Sequence, residues 1–459
     1  METVLRIFLV FLFPIAWGYC LCSFLFRKIN LNFLVRMSFA YGLGMGFLSL
    51  WMLILDFFYI RFSFESITFP LSALSLLWLR RREIHGECAR NLEKQDGPHS
   101  LNRLISRFFI VLLIFYMVYE IIFVFCLALN IPIHTWDAIC RVGIKAKVFF
   151  FDQSLEKIGD FSWAFYPIHT ELCETWAAII LGSWNDQIVK ILFPVTFLMN
   201  LIFYGHYLYR KTSVWGALTG LTLLLSANLY TFHATISYSD IFLAYYTSGA
   251  LISILLWQES RKDAFLVIAS LLGGMGALVK LEGLAYFFIF AALVVFLVFF
   301  SKRNSCKEKI KLSLKFLLPG LSIYGFFYFY KMIHKIPAIG RVFFDFEWRH
   351  LNRLSDIGTV FFNNLFLSGN WNIVWFILGL SLTNLTILRK HRDAQIILSA
   401  LILFFIFYGS LALFTSNFHW LAGEQSYISL PRVFLHFFSF APLLIVLLNF
   451  TPSELKDDI

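Results

Sequence analysis

Apolar stretches long enough to cross a bilayer recur along this chain, and that recurrence constrains its fold more than anything else. A crossing takes about 20 predominantly apolar residues in helical form, because no water is present to satisfy exposed backbone groups. Thirteen segments are predicted to cross: Val4–Phe26, Phe33–Tyr59, Phe64–Leu79, Phe108–Asn130, Ile188–Leu208, Val214–Thr231, Ile241–Trp257, Ala264–Val279, Leu284–Phe300, Leu312–Tyr330, Trp371–Leu388, Ile396–Phe414 and Val433–Leu448. The expected fold class is an all-α polytopic membrane protein of about 13 transmembrane helices, with outer-face loops carrying short amphipathic helices. Composition agrees, since 14% of the 459 residues are charged where soluble domains carry about 25%. A soluble domain, a disordered chain and a secreted disulfide scaffold are excluded. The first segment lacks a basic leader and a small-x-small cleavage site, so it reads as an anchor and not a signal peptide.

Lysine and arginine set the orientation. With the Arg80–Arg107 loop placed in the cytoplasm and sides alternating, cytoplasmic segments collect 24 of the 38 Lys and Arg residues. The N-terminus is then outside and the C-terminus cytoplasmic. The net charge of +10 belongs to those loops, and no nucleic-acid partner is expected. Outside lie two long segments, residues 131–187 and 331–370, and a medium one, 415–432. Long ordered loops in compact proteins are usually functional.

The outer segments hold the candidate chemistry. If helical, Asp137, Arg141 and Lys145 recur at i, i+4 and i+8 and fan over about 80° of one face. They read as a base beside a phosphate clamp, or as ion pairs on an interfacial helix. Tyr166, His169, Glu171 and Glu174 follow in an aromatic setting. No HExxH or HxxE pattern accompanies them, so no metal site is assigned, and a divalent cation stays open as a cofactor. Asp240 begins a span, where an acid caps a helix or acts chemically. Lys280 and Glu282 separate two apolar runs, as turn residues or as functional groups at membrane depth. The last outer segment holds His419, Glu424 and Arg432. Arg432 follows Pro431 and either snorkels to the headgroups or reaches a phosphate with its fork of donors. Glu120, inside a span, is expected to pair within the bundle. Gly42-x-Gly44-x-Gly46 and Gly273-Gly274 are candidate helix breaks. Cys140 and Cys173 share the first outer segment and form a candidate disulfide in an oxidising compartment. The orientation used none of the acids, yet it places Asp137, His169, Glu171, Asp240, Lys280, Glu282, His419, Glu424 and Arg432 on one face.

In chain order, Trp136-Asp137-Ala138 with Lys145-Ala146-Lys147, Tyr166-Pro167, Ser239-Asp240, Lys280-x-Glu282-Gly283, and Arg432 before a terminal span together resemble bacterial family 39-like glycosyltransferases. Those are polytopic enzymes of the GT-C class that use polyprenyl-phosphate sugars. The resemblance runs from about Phe108 to the C-terminus. Residues 1–106 then read as an N-terminal three-helix extension with a basic cytoplasmic loop, and 107–459 as a GT-C-like transmembrane catalytic domain. It implies Asp137 as general base and Asp240 as a second acid. It implies Lys280 and Arg432, with Arg141 or Lys145, at the donor phosphate. Tyr166, His169, Glu171, Glu282, His419 and Glu424 are read as substrate-binding. Many family members carry Asp-Glu in the first loop, and here Ala138 follows Asp137. The implied donor is a polyprenyl-phosphate-linked sugar, transferred with inversion to a glycan, lipid or protein acceptor outside a bacterial inner membrane. No P-loop or GxGxxG suggests a nucleotide. Two alternatives are a lipid-linked sugar transporter or flippase, and a polysaccharide polymerase or ligase with a diphosphate-linked donor. The latter would use Lys335, Arg341, Arg349, His350 and Arg353 of the second long loop.

Overall fold

The computed structural model describes residues 2–27, 29, 31–79, 100–301, 305–336 and 348–450. Helices α1 (Glu2–Leu25) and α2 (Phe33–Phe57) pack along each other, and α3 (Phe64–Leu79) leans on both. The long α4 (Ser100–Asn130) follows. A π-helical turn (Ala138–Gly143) then runs into α5 (Ile144–Asp152), and α6 (His169–Leu181) lies beside it. Next come α7 (Leu192–Lys211), α8 (Val214–Leu225), α9 (Asn228–His233), α10 (Asp240–Ser260), α11 (Asp263–Val279), α12 (Leu281–Phe299) and α13 (Cys306–Ile333). The last described residues form α14 (Leu354–Phe362), α15 (Val374–Ser381), α16 (Leu385–Lys390), α17 (Arg392–Phe414), α18 (Phe418–Leu421), α19 (Ser426–Leu435) and α20 (Phe440–Asn449). No β-strand occurs among the described residues.

The protein is an all-helical polytopic membrane protein. Among the described residues, eight helices are long and apolar enough to span, and a ninth span forms if α19 and α20, bent by 52°, count as one. The other predicted crossings are shorter helices: α3, α8 and α11 are apolar but brief, and Trp371–Leu388 divides into α15 and α16. In contrast to the candidate breaks, α2 runs unbroken through Gly42, Gly44 and Gly46, and α11 through Gly273 and Gly274. The α2 glycines are instead contact points. A Cβ on Gly44 would overlap the Pro14 carbonyl of α1, and one on Gly18 the Ala40 carbonyl of α2. Small residues let helix backbones touch where lipid supplies no hydrophobic drive.

Helix α10 is apolar all round, which suits a helix buried on every side. It is buried over its whole apolar window, with α7, α11 and α12 among its neighbours. Its N-terminus therefore opens inside the bundle, and there the site forms. At its other end, Arg210 and Lys211 of α7 meet Glu259 of α10, and Lys211 also meets Asp393 of α17. These ends come from segments predicted to share one side of the membrane. Glu120 reaches no bundle cation among the described residues. It sits beside Tyr116 on its own helix.

Candidate active site

Asp240 occupies the first turn of α10 and is fully buried. The positive end of the helix dipole favours a carboxylate there, and side chains complete its compensation. Lys280 Nζ lies 2.9 Å from Oδ1 and His436 Nε2 donates to the same oxygen at 2.8 Å. Arg432 Nη2 donates to Oδ2 at 3.0 Å, and His233 Nδ1 is 3.6 Å away. Arg432 then reaches outward. Its Nη1 donates to Asp137 Oδ2 at 2.6 Å, so one guanidinium spans both acids. Asp137 is a quarter exposed.

Local structure explains each position. Lys280 is a single extended residue between α11 and α12. The two helices meet so closely at this break that a Cβ on Gly283 would overlap the Gly276 carbonyl. The Lys-x-Glu-Gly sequence is thus a helix break with its cation aimed at Asp240. Glu282, in the first turn of α12, lies 3.7 Å from Lys280 Nζ, and its Oε2 is buried without a hydrogen-bond partner. Arg432 closes α19, and the bend before α20 brings His436 under Asp240. Asp137 stands at the mouth of the π-helical turn, its backbone N–H 3.3 Å from the Tyr238 hydroxyl. The Tyr238 ring in turn carries the Arg432 guanidinium at 4.5 Å.

A polar chain lies beneath. Asp240 only accepts, so His436 Nε2 carries its hydrogen toward it. In the neutral ring, Nδ1 accepts from the Tyr286 hydroxyl at 2.8 Å, and Tyr408 donates to Tyr286. The tyrosines hold the imidazole, and the imidazole holds Asp240.

The remaining candidates divide by place. Arg141 stacks on the Tyr166 ring at 3.4 Å. Tyr166 is close enough to Glu282, Arg141, Lys280 and Asp137 to feel all four charges. Burial first, then Glu282, raises its phenol above the usual range. Lys145 turns away from Asp137 because the π-helical turn changes the helical register. It is buried 3.9 Å from Glu171 and donates to the Trp163 carbonyl at 2.8 Å. Burial lowers Lys145 and raises Glu171, each partly offset by the other. His169 sits in the core on Ser49 at 2.7 Å and near Tyr246, where burial holds it down at about 3. His419 and Glu424 are exposed and do not reach the cluster. Arg353 rests on the Phe418 ring at 4.6 Å, while Arg341 lies outside the described residues. Cys140 is exposed and Cys173 buried, and both are free thiols. No group of three or more metal-ligating side chains occurs among the described residues.

Five contributors escaped the sequence reading: His233, Tyr238, Tyr286, Tyr408 and His436. Two carried a signal. His436 lies four residues after Arg432 and Tyr286 four after Glu282, the spacing that stacks side chains on one helical face.

No protein-family model matches this chain, and no curated protein matches its sequence. Its fold is similar to the crystal structure of ArnT from Cupriavidus metallidurans in the apo state. That match has a TM-score of 0.51 at 16% identity and covers 72% of this chain. The chain spans 59% of the length of that protein. The fold is GT-C-like. At this identity the likeness speaks for architecture, and chemistry must be argued from the site.

Proposed function

We propose that this chain is an integral membrane glycosyltransferase that moves a sugar from a polyprenyl-phosphate donor to an acceptor hydroxyl. The observation that carries the proposal is the Arg432 bridge: a guanidinium held between a buried and a quarter-exposed aspartate, beside Lys280, on a GT-C-like fold. The four side chains come from segments far apart in sequence and converge on one spot.

Their environments assign the roles. Asp240 already accepts from Lys280, Arg432 and His436 and has no exposure. It is the counter-ion that fixes the cations, and not a base. Asp137 has one side-chain partner among the described residues and open surface, so it is the base. Its carboxylate takes the proton of the acceptor hydroxyl as that oxygen attacks the anomeric carbon. The bond from that carbon to the phosphate oxygen breaks on the opposite side, and its electron pair leaves with the phosphate. The configuration inverts. Lys280 and Arg432 stabilise the charge on the departing phosphate as preorganised donors. Glu282, near Tyr166 and carrying an unpartnered oxygen, takes the place of the second acid absent at buried Ala138.

The site is assigned to the non-cytoplasmic face of a bacterial inner membrane, with a glycan, lipid or protein as acceptor. One contact agrees with placing the N-terminus and the first long loop on the same side. Arg6, near the N-terminus, donates to the Ile180 and Leu181 carbonyls at the end of α6, which puts the N-terminus beside the first outer segment. The test is transfer by purified Asp137→Asn protein. Loss of a positioned base removes about 10²–10⁴-fold in rate while the protein stays folded. Unchanged transfer would exclude Asp137 as the base.

A further inference from the structure

Arg432 makes two ion pairs that are not equivalent. Nη2 holds Asp240, which keeps Lys280 and His436 as donors if the guanidinium turns. Nη1 holds Asp137, which has no other side-chain donor among the described residues and enough open surface to be hydrated on release. The third nitrogen, Nε, is buried and donates to nothing. Asp137 cannot take a proton on Oδ2 without giving up its ion pair. As the site stands, the base and the main phosphate ligand block each other.

We infer that the Asp137–Arg432 ion pair is a latch that the donor phosphate opens. This rests on the reading of Arg432 as a donor-phosphate ligand. A phosphate offers several oxygens to a guanidinium fork and forms strong charge-assisted bonds with it. The unpartnered Nε, buried at rest, adds a further donor once the side chain turns onto the phosphate. As Arg432 moves onto the phosphate, Asp137 Oδ2 is released, and Asp240 stays compensated by Lys280 and His436. The acceptor hydroxyl therefore meets a free carboxylate only when the donor is in place. Addition is ordered, donor first, and the base stays latched while no donor is bound.

The test is equilibrium binding of polyprenyl phosphate, without sugar, to the full-length protein in lipid nanodiscs. Four forms are compared: wild type, Asp137→Asn, Arg432→Gln and the double variant. A latch makes Asp137→Asn bind about fivefold more tightly than wild type, the scale of one partly exposed ion pair removed as competitor. The gain must disappear in the Arg432→Gln background, because it acts through that side chain. A gain of equal size in both backgrounds would mean plain charge repulsion and would overturn the latch. So would no gain at all. Binding to Arg432→Gln equal to wild type would instead overturn the placement of the donor phosphate itself. Should Arg432→Gln fail to fold, Arg432→Lys serves in its place. A lysine cannot fork to two acids, and the gain from Asp137→Asn should then fall below about threefold.

Discussion

Two aspartates share one arginine, and burial gives them opposite work. Asp240 has no contact with solvent and four basic neighbours, so removing it takes the fully buried partner from both Lys280 and Arg432 and leaves them, among the described residues, only Glu282 at 3.7 Å and Asp137 at the edge. Losing one partner of such a buried arrangement costs about 3–5 kcal/mol. Asp137 sits at the edge, and its ion pair contributes on the order of 1 kcal/mol or less to stability. Thermal unfolding in detergent should therefore separate them. Asp240→Ala lowers the melting temperature strongly, and Asp137→Asn hardly moves it, although both stop transfer. An equal loss of stability would deny the division into anchor and base. At this scale the sequence was informative where charge is costly. Asp240, Lys280 and Arg432 stand beside apolar runs, and such groups need partners. It was less informative about direction. Lys145 and His169 are close in sequence to site residues, yet each turns into a separate buried contact. A one-dimensional spacing could not show the π-helical turn that redirects Lys145.

Elements matter through their interruptions. The site is built at a break between α11 and α12, at a bend between α19 and α20, and at the start of α10. The break depends on one small residue. Gly283 lies against the Gly276 carbonyl with no room for a Cβ. Gly283→Ala should push α12 off α11 and carry Lys280 away from Asp240, 2.9 Å distant in the native protein. The expected outcome is a transfer rate reduced at least tenfold, together with lower thermal stability. Full activity in that variant would show that the close approach does not place Lys280. The glycine runs of α2 and α11 illustrate what the sequence leaves open. Glycine weakens a helix in isolation, but it also allows a second helix to approach, and only the neighbour decides which effect prevails. The helix ends were readable from apolar patterning. The division of Trp371–Leu388 into α15 and α16 was not, because its mean hydropathy resembles that of a span.

For the molecule as a whole, the fold class was legible because apolar length leaves few alternatives. The count of full crossings was not, since short apolar helices fill a bundle as well as long ones. Sidedness can be measured with native thiols. Cys140 is exposed beside Arg141, and Cys306 is exposed at the start of α13. With Cys88 and the exposed Cys126 replaced by serine, a membrane-impermeant maleimide added to intact spheroplasts should label Cys140 and spare Cys306 until the membrane is opened. The reverse pattern would place the Asp137 site in the cytoplasm, where lipid-borne activation of the sugar loses its rationale.

Every proposed role follows from the donor phosphate meeting Arg432 and Lys280. A structure of the protein with bound polyprenyl phosphate addresses that directly. Phosphate oxygens should lie about 2.8 Å from an Arg432 nitrogen and from Lys280 Nζ, with Asp137 released on the side open to an acceptor. A phosphate bound among Arg210, Lys211 and Arg392 at the opposite end of the bundle, with the Asp137–Arg432 pair intact, would contradict it.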